Sequence, residues 1–324
     1  MNRRRFLEAS AAGILVAATG RQAWGQIGVR ASRIVVGFPP GGMVDTVARL
    51  ILEPLRARFE TTFIVENKTG AAGRIAVLSV KDAPADGRTM LLTPSAMIAI
   101  YPHIYTDLRY DPLTDLVPIA PVTNIHAILA VSPDHPAKDI SQFIAWAKQN
   151  PKRATIGTPA AGSGPHFVGV MLGKQSGTEF VYAHYRGDPP LWQDVMGGSI
   201  GAGLGTVVTS APLHRAGKLR VLAISGPSRL PQLPGVPTFN ELGFNIPAVE
   251  WLGLFVPPNT PQATVAALNQ AVRDALGTVQ LRETFSKLGI EPTGSSSEEF
   301  LSLIKKDLEF WGPVVKGSGL KVDG

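Results

Sequence analysis

A loop rich in glycine and proline, at residues 37–45, carries the residue types best suited to ligand binding in this chain. It reads Gly-Phe-Pro-Pro-Gly-Gly-Met-Val-Asp and follows an apolar run at residues 34–36. After it, apolar residues recur at the spacing of one buried helix face, at Val44, Val47, Ala48, Ile51, Leu55 and Phe59. A helix that begins on small residues leaves backbone N–H groups free to face an anion, and its dipole favours negative charge there. The loop therefore predicts half of a carboxylate-binding site, with an ordinary strand-to-helix turn as the alternative.

A second loop of similar composition, at residues 158–166, reads Thr-Pro-Ala-Ala-Gly-Ser-Gly-Pro-His. It follows a short strand predicted at residues 154–156 and begins a helix that ends at Gly177. Ser163 stands at the N-cap position, and Pro165 in the first turn is typical of a helix start. The alternative is that Ser163 only caps the helix and does not contact a ligand. Two such helix starts on opposite sides of a cleft would clamp a negatively charged ligand between backbone N–H groups.

The order of the predicted elements indicates how these loops are held. Strands and helices alternate, which is typical of α/β lobes with largely parallel sheets. Two similar apolar strands, at residues 127–133 and 252–258, each end in proline and are each soon followed by a helix. A chain that leaves one lobe through the first strand and returns through the second would form a two-strand hinge. Two similar strands within one large sheet are the alternative.

This hinge would divide the chain into residues 26–125 plus 251–324 as lobe one and residues 126–250 as lobe two. Ser296 and Glu299 have the spacing of a capping box, so a last helix is expected to begin there. Its apolar residues should pack on lobe one, namely Phe300, Leu303, Ile304, Leu308 and Trp311.

Residues 1–25 predict an export signal. Three arginines at residues 3–5 precede a modest apolar run, and Ala-Trp-Gly at residues 23–25 offers small residues where a signal peptidase cleaves. The run is too short to anchor the chain in a bilayer. Because Phe-Leu follows the arginines directly, the pattern favours a twin-arginine signal. We expect cleavage near Gly25-Gln26 and a periplasmic mature protein, with a retained amphipathic helix as the alternative.

The composition of the chain argues against several classes of function. The first 25 residues carry four arginines and one glutamate, so their removal lowers the net charge from +6 to +3. The remaining basic residues form no block and do not alternate with aromatic residues, which argues against nucleic-acid binding. The chain has no cysteine, which excludes disulfides, thiol catalysis and cysteine metal sites. Its hydrophobic fraction of 44% is sufficient for two lobes with proper cores.

The spacing of the polar residues gives catalysis and metal binding little support. His166 and Ser163 could pair as base and nucleophile, but three residues apart at a helix start they match no recognised triad and lack a third partner. The other histidines are scattered without metal-ligand spacing, at positions 103, 126, 135, 184 and 214. Asp45 is expected to interact with first-turn amides and the helix dipole. The tryptophans at positions 192, 251 and 311 are expected in the core or between packed elements.

Eight short motifs follow one another along the chain. They are Phe38-Pro-Pro-Gly-Gly-x-x-Asp45, Val65-Glu-Asn-Lys-x-Gly70-Ala-x-Gly73, Asp86-Gly87, Tyr110-Asp111-Pro112, Tyr185-Arg-Gly187, Ala216-Gly-Lys-Leu-Arg-Val-Leu-Ala223, Leu233-Pro-x-Val-Pro-Thr238 and Trp251-x-Gly-Leu-Phe-Val-Pro257. Each motif is weak alone, but their order and spacing are highly specific. Over essentially all of residues 33–320 the chain resembles the periplasmic substrate-binding proteins of tripartite tricarboxylate transporters, the TctC-like or Bug family.

The resemblance implies an α/β fold of the two-lobed, type II periplasmic-binding-protein kind (a Venus flytrap), with mixed, largely parallel sheets joined by a two-strand hinge. Such a receptor closes on a small organic acid, without cofactor or metal, and delivers it to membrane transporter subunits of the tripartite tricarboxylate type. In the family, backbone amides and hydroxyls hold the acid, often through ordered water. The ligand-binding positions carried onto this chain are Phe38, Pro40, Gly41, Gly42, Asp45, Ala71, Ala72, Thr93, Ser95, Ala96, Thr158, Ala161, Gly162, Ser163, His166, Tyr185 and Thr206.

One stretch departs from the family pattern. Residues 199–206 read Ser-Ile-Gly-Ala-Gly-Leu-Gly-Thr, so Gly201 replaces the usual aspartate and Gly205 stands where a bulkier or acidic residue is common. This predicts a roomier and less negative cleft wall, suited to a larger or more highly charged acid. Glycines required for backbone conformation or close packing are the alternative.

These observations together predict a monomeric, non-enzymatic receptor whose lobes close on a carboxylate. An enzyme on the same two-lobed scaffold is the alternative from another class, because fold does not fix function. A receptor that reports its ligand to a sensor kinase, instead of feeding transport, is a third interpretation.

Overall fold

The computed structural model describes residues 31–246 and 250–321, so the predicted export signal lies outside the described residues. Within these ranges, strands form two separate sheets. The strands are β1 (Ser32–Val36), β2 (Phe63–Asn67), β3 (Thr89–Pro94), β4 (Val117–Ile125), β5 (Ala127–Val131), β6 (Thr155–Thr158), β7 (Val181–His184), β8 (Ala202–Thr206), β9 (Arg220–Ile224), β10 (Glu250–Val256) and β11 (Glu291–Pro292).

Helices connect and cover these strands. They are α1 (Met43–Phe59), α2 (Arg74–Lys81), α3 (Tyr101–Ile104), α4 (Ile140–Gln149), α5 (Gly164–Ser176), α6 (Asp188–Met196), α7 (Val207–Arg215), α8 (Gln262–Gly277), α9 (Val279–Leu288) and α10 (Ser297–Ser318). A short 3-10 turn at Ala71–Gly73 precedes α2, and a π-helical turn at Ala96–Ile100 precedes α3. In the described ranges, no helix combines the length and the apolar character that a membrane span requires.

The first sheet has six strands in the order β11-β4-β10-β3-β1-β2. β1 pairs in parallel with β2 and β3, whereas β10 runs antiparallel between β3 and β4. Helix α1 covers this sheet with the buried face predicted from its spacing, since Val47, Ile51 and Leu55 have no exposed surface. The loops that follow the parallel strands β1, β2 and β3 therefore meet at one edge of the sheet.

The second sheet has five strands in the order β7-β6-β8-β5-β9. β6 pairs in parallel with β7 and β8, and β5 runs antiparallel between β8 and β9. The loops that follow β6, β7 and β8 again meet at one edge. The α/β class predicted from the alternation of elements, and the two mixed sheets implied by the family resemblance, are thus confirmed, with parallel and antiparallel pairs in both sheets.

The chain passes from the first sheet to the second at His126, between β4 and β5. It is back in the first sheet at Glu250, where β10 begins. The two proline-ended strands therefore lie in different sheets, and the alternative of one large sheet is wrong. The hinge itself stays a prediction.

The last helix, α10, packs on the first sheet as predicted. Its capping box is present, because the Ser296 hydroxyl accepts from the Glu299 backbone N–H and the Glu299 carboxylate accepts from the Ser296 N–H. Phe300 is buried against Trp251 of β10, with ring centroids 4.8 Å apart. The Trp251 indole N–H donates to Asp307 at 2.6 Å, which fixes the helix over the strand.

Candidate ligand-binding cleft

Loops from both sheets meet around two cavities, which share the wall residues Phe38, Pro39 and Pro159. The outer cavity has a volume of about 340 Å³ and is lined by the loops after β1, β2, β6 and β7. The inner cavity, of about 50 Å³, lies between the start of α1, the turn after β3 and the start of α6. Ligands of α/β proteins bind at the carboxyl ends of parallel strands, where these loops lie. The two cavities form the candidate site.

The loop after β1 is held in place by Asp45. The Asp45 carboxylate accepts hydrogen bonds from the Gly41 backbone N–H at 3.0 Å, from the Arg49 guanidinium at 2.9 Å and from the Asn67 amide at 3.0 Å. Burial raises the pKa of Asp45, but these hydrogen bonds outweigh burial and lower the pKa below its usual value. Asp45 therefore lies in the first turn of α1, where the helix dipole favours it as predicted, but the amide that it accepts from is that of Gly41 in the preceding loop. Among the described residues, no side chain caps the helix at Gly42.

The loop after β2 presents backbone N–H groups to the outer cavity. Ala71 and Ala72 both have left-handed backbone, with φ of 45° and 53°. This conformation costs a residue with a side chain about 1–2 kcal/mol. Successive N–H groups in such a turn form a concave anion-binding nest. In the hydrogen bonds of the described residues, the N–H groups of Gly70, Ala71 and Ala72 have no protein acceptor.

One cationic side chain, Arg186, faces this nest across the outer cavity. It is exposed and makes no hydrogen bond or ion pair with any described residue. The apolar wall of Phe38 and Pro39 completes the cavity. The outer cavity thus combines N–H donors and a free guanidinium, which suits a carboxylate.

The backbone N–H groups at the start of α5 were expected to be free for a ligand, but they have partners within the protein. Ser163 is the predicted N-cap, since its hydroxyl accepts from the His166 backbone N–H at 3.4 Å. The Gly162 N–H donates to His166 Nδ1 at 3.1 Å, and the Gly164 N–H bonds to the Glu250 carboxyl. Because the protein's own groups occupy these donors, the predicted clamp of two free helix starts is wrong for α5.

Ser163 and His166 also do not form a nucleophile–base pair. The Ser163 hydroxyl donates to the Ala160 carbonyl at 2.8 Å, so its proton is directed away from the imidazole. His166 is buried against the rings of Tyr182 and His184, at centroid distances of 4.7 and 4.6 Å. Burial, with a smaller contribution from His184, lowers the pKa of His166 to about 3, which keeps the ring neutral. His166 therefore stabilises the loop after β6, through the hydrogen bond that its Nδ1 atom accepts from Gly162.

Two buried carboxyl groups line the inner cavity, and sequence reasoning missed both. Asp188, the first residue of α6, accepts hydrogen bonds from the hydroxyls of Thr206 and Thr209 on its Oδ2 atom. Its buried Oδ1 atom accepts no hydrogen bond from any described residue. Burial raises the pKa of Asp188, although the hydroxyls of Thr206 and Thr209 and the Thr206 backbone N–H oppose that shift. The available signal was an acidic residue at a Gly-Asp-Pro-Pro helix start, directly after a family motif.

Glu250 is the second of these carboxyl groups, at the start of β10. Burial raises its pKa to about 7, the Gly164 N–H opposes that shift and the negative charge of Asp307 adds to it. Its buried Oε1 atom accepts no hydrogen bond from any residue in the described ranges. The available signal was a single acidic residue at the beginning of an otherwise apolar strand.

Gly201, just before β8, and Gly205 within β8 both lie against tryptophan rings, so the expectation of a roomier cleft wall is wrong. A Cβ atom on Gly201 would lie 3.1 Å from the Trp146 ring, and one on Gly205 would lie 2.4 Å from the Trp192 ring. The same Cβ on Gly205 would lie 2.9 Å from Asp188 Oδ1. The wall is also not less negative, because the Asp188 carboxyl lies beside Gly205. Trp192 is buried, as predicted.

The structure brings about half of the predicted site residues to the cavities. Those that line the inner cavity are Phe38, Gly42, Ala96, Ser163 and Thr206. Those that line the outer cavity are Phe38, Ala71, Ala72, Ala161 and Tyr185. Those that line neither cavity are Pro40, Gly41, Asp45, Thr93, Ser95, Thr158, Gly162 and His166.

Several of the residues outside the cavities have other partners. The Thr93 hydroxyl donates to Met97 Sδ at 2.8 Å, and the Thr158 hydroxyl bonds His184 Nδ1 at 2.8 Å. Tyr185 lines the outer cavity, but its hydroxyl donates to Asp194 at 2.6 Å. Over residues 31–246 and 250–321, no three His, Asp or Glu side chains are grouped to hold a metal ion.

Comparison with known proteins gives consistent matches over nearly the whole chain. A family model described as "Tripartite tricarboxylate transporter family receptor" matches residues 47–320. Among the curated relatives, Protein BugT of Bordetella pertussis is 28% identical over 295 residues, which cover 90% of each chain.

Solved structures match the fold equally well. Rpa4515 of R. palustris with adipate has a TM-score of 0.87 at 29% identity, and the match covers 91% of this chain and 99% of that one. MatC (Rpa3494) from Rhodopseudomonas palustris with bound malate has a TM-score of 0.84 at 28% identity, covering 89% and 99%. Adipate and malate are both carboxylates, and the shared two-sheet fold is that of periplasmic binding proteins.

Proposed function

This chain belongs to the tripartite tricarboxylate transporter receptor family, and on that premise we propose that it binds a small organic acid in the cleft between its two sheets and delivers it to a membrane transporter of that type. The observation that carries the proposal is the outer cavity. Its wall contains the unpaired N–H groups of Ala71 and Ala72 together with the free guanidinium of Arg186. A carboxylate would satisfy both sets of donors.

We place the ligand carboxylate in the outer cavity, between loops of the two sheets. The first sheet belongs to lobe one, residues 26–125 plus 251–324, and the second to lobe two, residues 126–250. Tyr101 supports closure of these lobes around the ligand. Its hydroxyl lies 3.0 Å from the carbonyl oxygen of Ala72 and 3.4 Å from that of Ala161, on loops of different sheets.

The lobes would open about the connection at His126. His126 Nδ1 bonds the Ser225 carbonyl oxygen at 2.8 Å, and the Ala127 N–H donates to the Ser225 hydroxyl at 2.8 Å. The outgoing strand is therefore tied to the chain that leads back to the first sheet. A ligand that binds the closed arrangement better shifts the population towards it, which is the functional step of such a receptor.

The remaining parts of the proposal follow from the sequence. The protein is exported through the signal at residues 1–25, cleaved near Gly25-Gln26, and acts in the periplasm as a monomer. It releases its ligand chemically unchanged, since the family consists of receptors.

Isothermal titration calorimetry against a panel of monocarboxylates, dicarboxylates and amino carboxylates tests the proposal. We expect micromolar or tighter binding of at least one compound. Arg186→Gln should weaken it about tenfold, which is about 1.4 kcal/mol, because it removes the cation from the outer cavity. Arg58→Gln, an exposed arginine on the last turn of α1, is the matched control and should change affinity less than twofold. Absence of binding by the folded protein across the whole panel would contradict the proposal.

A further inference from the structure

The inner cavity has the opposite electrostatic character to the outer one. Both of its acidic residues, Asp188 and Glu250, are almost entirely removed from solvent, at 3% and 6% exposure. No lysine, arginine or histidine lines this cavity in the part of the chain that the structure describes. The rest of the wall is mainly apolar, with Met43, Met97 and Ile125 among its residues. Two acids in such surroundings are costly unless a partner compensates them.

Each acid has one buried carboxyl oxygen that accepts no hydrogen bond from any residue that the structure describes. Asp188 Oδ2 accepts from two threonine hydroxyls and the carboxyl also interacts with the Thr206 backbone N–H, whereas Oδ1 accepts no hydrogen bond from any described residue. The Glu250 carboxyl lies beside the Gly164 N–H, which opposes the rise in its pKa, but no described residue donates a hydrogen bond to the buried Oε1 atom. Buried polar atoms are paired in most folded proteins, so two orphaned carboxyl oxygens around one cavity indicate that a donor group completes the site.

The start of α1 also lines the inner cavity, through Gly42, Met43 and Val44, and its dipole offsets part of the negative charge. A helix end is equivalent to roughly half an elementary charge. Burial raises the pKa of both acids, but a cation bound between them would favour ionisation, and two ionised carboxyl groups carry four times as much charge as the helix end. Asp307 is a further acid near Glu250, so the surroundings add negative charge. The balance in the inner cavity therefore favours a cation.

We propose that the inner cavity binds the protonated amine of a ligand whose carboxylate lies in the outer cavity, so that the substrate class is an ω-amino carboxylate. This deepens the proposed function and rests on it. The inner cavity of about 50 Å³ holds roughly three water-sized groups, which fits an aminomethyl end. The ammonium protons would pair with Asp188 Oδ1 and Glu250 Oε1. The shared wall of Phe38 and Pro159 would contact the methylene chain between the two ends.

Calorimetry with matched ligand pairs tests this assignment on the wild-type protein. ω-Amino carboxylates of three to six carbons are compared with dicarboxylates and simple monocarboxylates of the same length. We expect the best amino carboxylate to bind at least tenfold more tightly than both of its matched partners. A dicarboxylate that binds equally well or better overturns the assignment and leaves the carboxylate receptor intact. If no compound of any of the three series binds, the proposed function fails together with the assignment.

Two substitutions that keep shape and remove charge supply the second readout. Asp188→Asn and Glu250→Gln should each reduce the preference for the amino carboxylate over the dicarboxylate at least tenfold. Asp115→Asn is the matched control, because Asp115 is a half-buried acid that lines neither cavity and is paired with Lys81. In this control variant, the preference for the amino carboxylate over the dicarboxylate should stay within about twofold of the wild-type value. An unchanged preference in folded Asp188→Asn and Glu250→Gln overturns the assignment, and the wild-type comparison decides the matter if a variant does not fold.

Discussion

Replacing Glu250 by glutamine should stabilise the ligand-free protein, and the gain should depend on pH. Burial raises the pKa of Glu250 from its usual 4.5 to about 7. Between these two values the folded protein keeps a proton that the unfolded chain has already lost. The stability of the wild type therefore falls as pH rises from below 4.5 through 7, and it levels off above that range. Glutamine does not titrate, so the variant lacks this loss.

The size of the effect follows from the same two pKa values. One pKa step is worth about 1.4 kcal/mol, so the full loss is about 3 kcal/mol. Most of it accumulates between pH 5 and pH 8, because pH 5 lies only just above the unfolded pKa of 4.5, where about a quarter of the loss has accumulated. The stability gain of Glu250→Gln should therefore be about 2–3 kcal/mol larger at pH 8 than at pH 5.

Urea denaturation of wild type and variant at pH 5 and pH 8, without ligand, measures this difference. Glu283→Gln is the control, since Glu283 is exposed on α9, and its effect should stay within about 0.5 kcal/mol at both pH values. A gain for Glu250→Gln that is the same at both pH values would refute the reasoning, because the carboxyl would then not be ionising within an unfavourable site.

Three further substitutions test the packing around the cleft. Tyr101→Phe removes the hydroxyl that contacts loops of both sheets, which should weaken ligand binding about fivefold in calorimetry, equivalent to about 1 kcal/mol. Gly205→Ala forces a methyl group against Trp192 and should cost about 1–3 kcal/mol in urea denaturation. Gly235→Ala, which points into open space, is its control and should change stability by less than about 0.5 kcal/mol. Ser296→Ala removes the cap of α10 and should cost about 1 kcal/mol in the same assay.

Each of these expectations has a specific contrary result. Unchanged affinity in Tyr101→Phe would mean that its hydroxyl does not hold the two loops together around the ligand. Equal costs for the alanines at Gly205 and Gly235 would mean that Trp192 does not fill the space beside β8. A loss of affinity, without loss of stability, in Ser296→Ala would assign the last helix a part in binding that its distance from both cavities does not suggest.

In the inner cavity, the groups proposed to recognise the ligand also lower the stability of the ligand-free protein. Asp188 and Glu250 are both buried with one unpaired oxygen, and burial raises the pKa of both. Such groups destabilise the ligand-free fold and become favourable only when a ligand pairs with them. The same groups therefore explain the expected stabilisation by Glu250→Gln and the expected loss of ligand preference. Glu250→Gln should therefore raise the stability of the ligand-free protein and lower its preference for the amino carboxylate.

The candidate site could be predicted only in part. Local sequence identified the loops after β1 and β6, because glycine, proline and small residues leave backbone groups accessible, whereas the loop after β2 was implied by the family resemblance. It also assigned Ser163 correctly as a cap. It did not show that Gly164 meets a carboxyl group on β10, since Glu250 lies in the other sheet and 86 positions further along the chain.

The sequence by itself determined the fold class, the buried face of α1, the capping box of α10 and the family, because periodicity, caps and ordered motifs depend on residues close together in the chain. Only the tertiary structure decided which helix start remains free, where the acids lie and what the glycines of β8 accommodate. These features arise where two sheets and their loops come together, and burial there changes what a residue does. The space beside Gly205 is filled by the Trp192 indole, and the buried carboxyl groups of Asp188 and Glu250 can accept hydrogen bonds from a ligand.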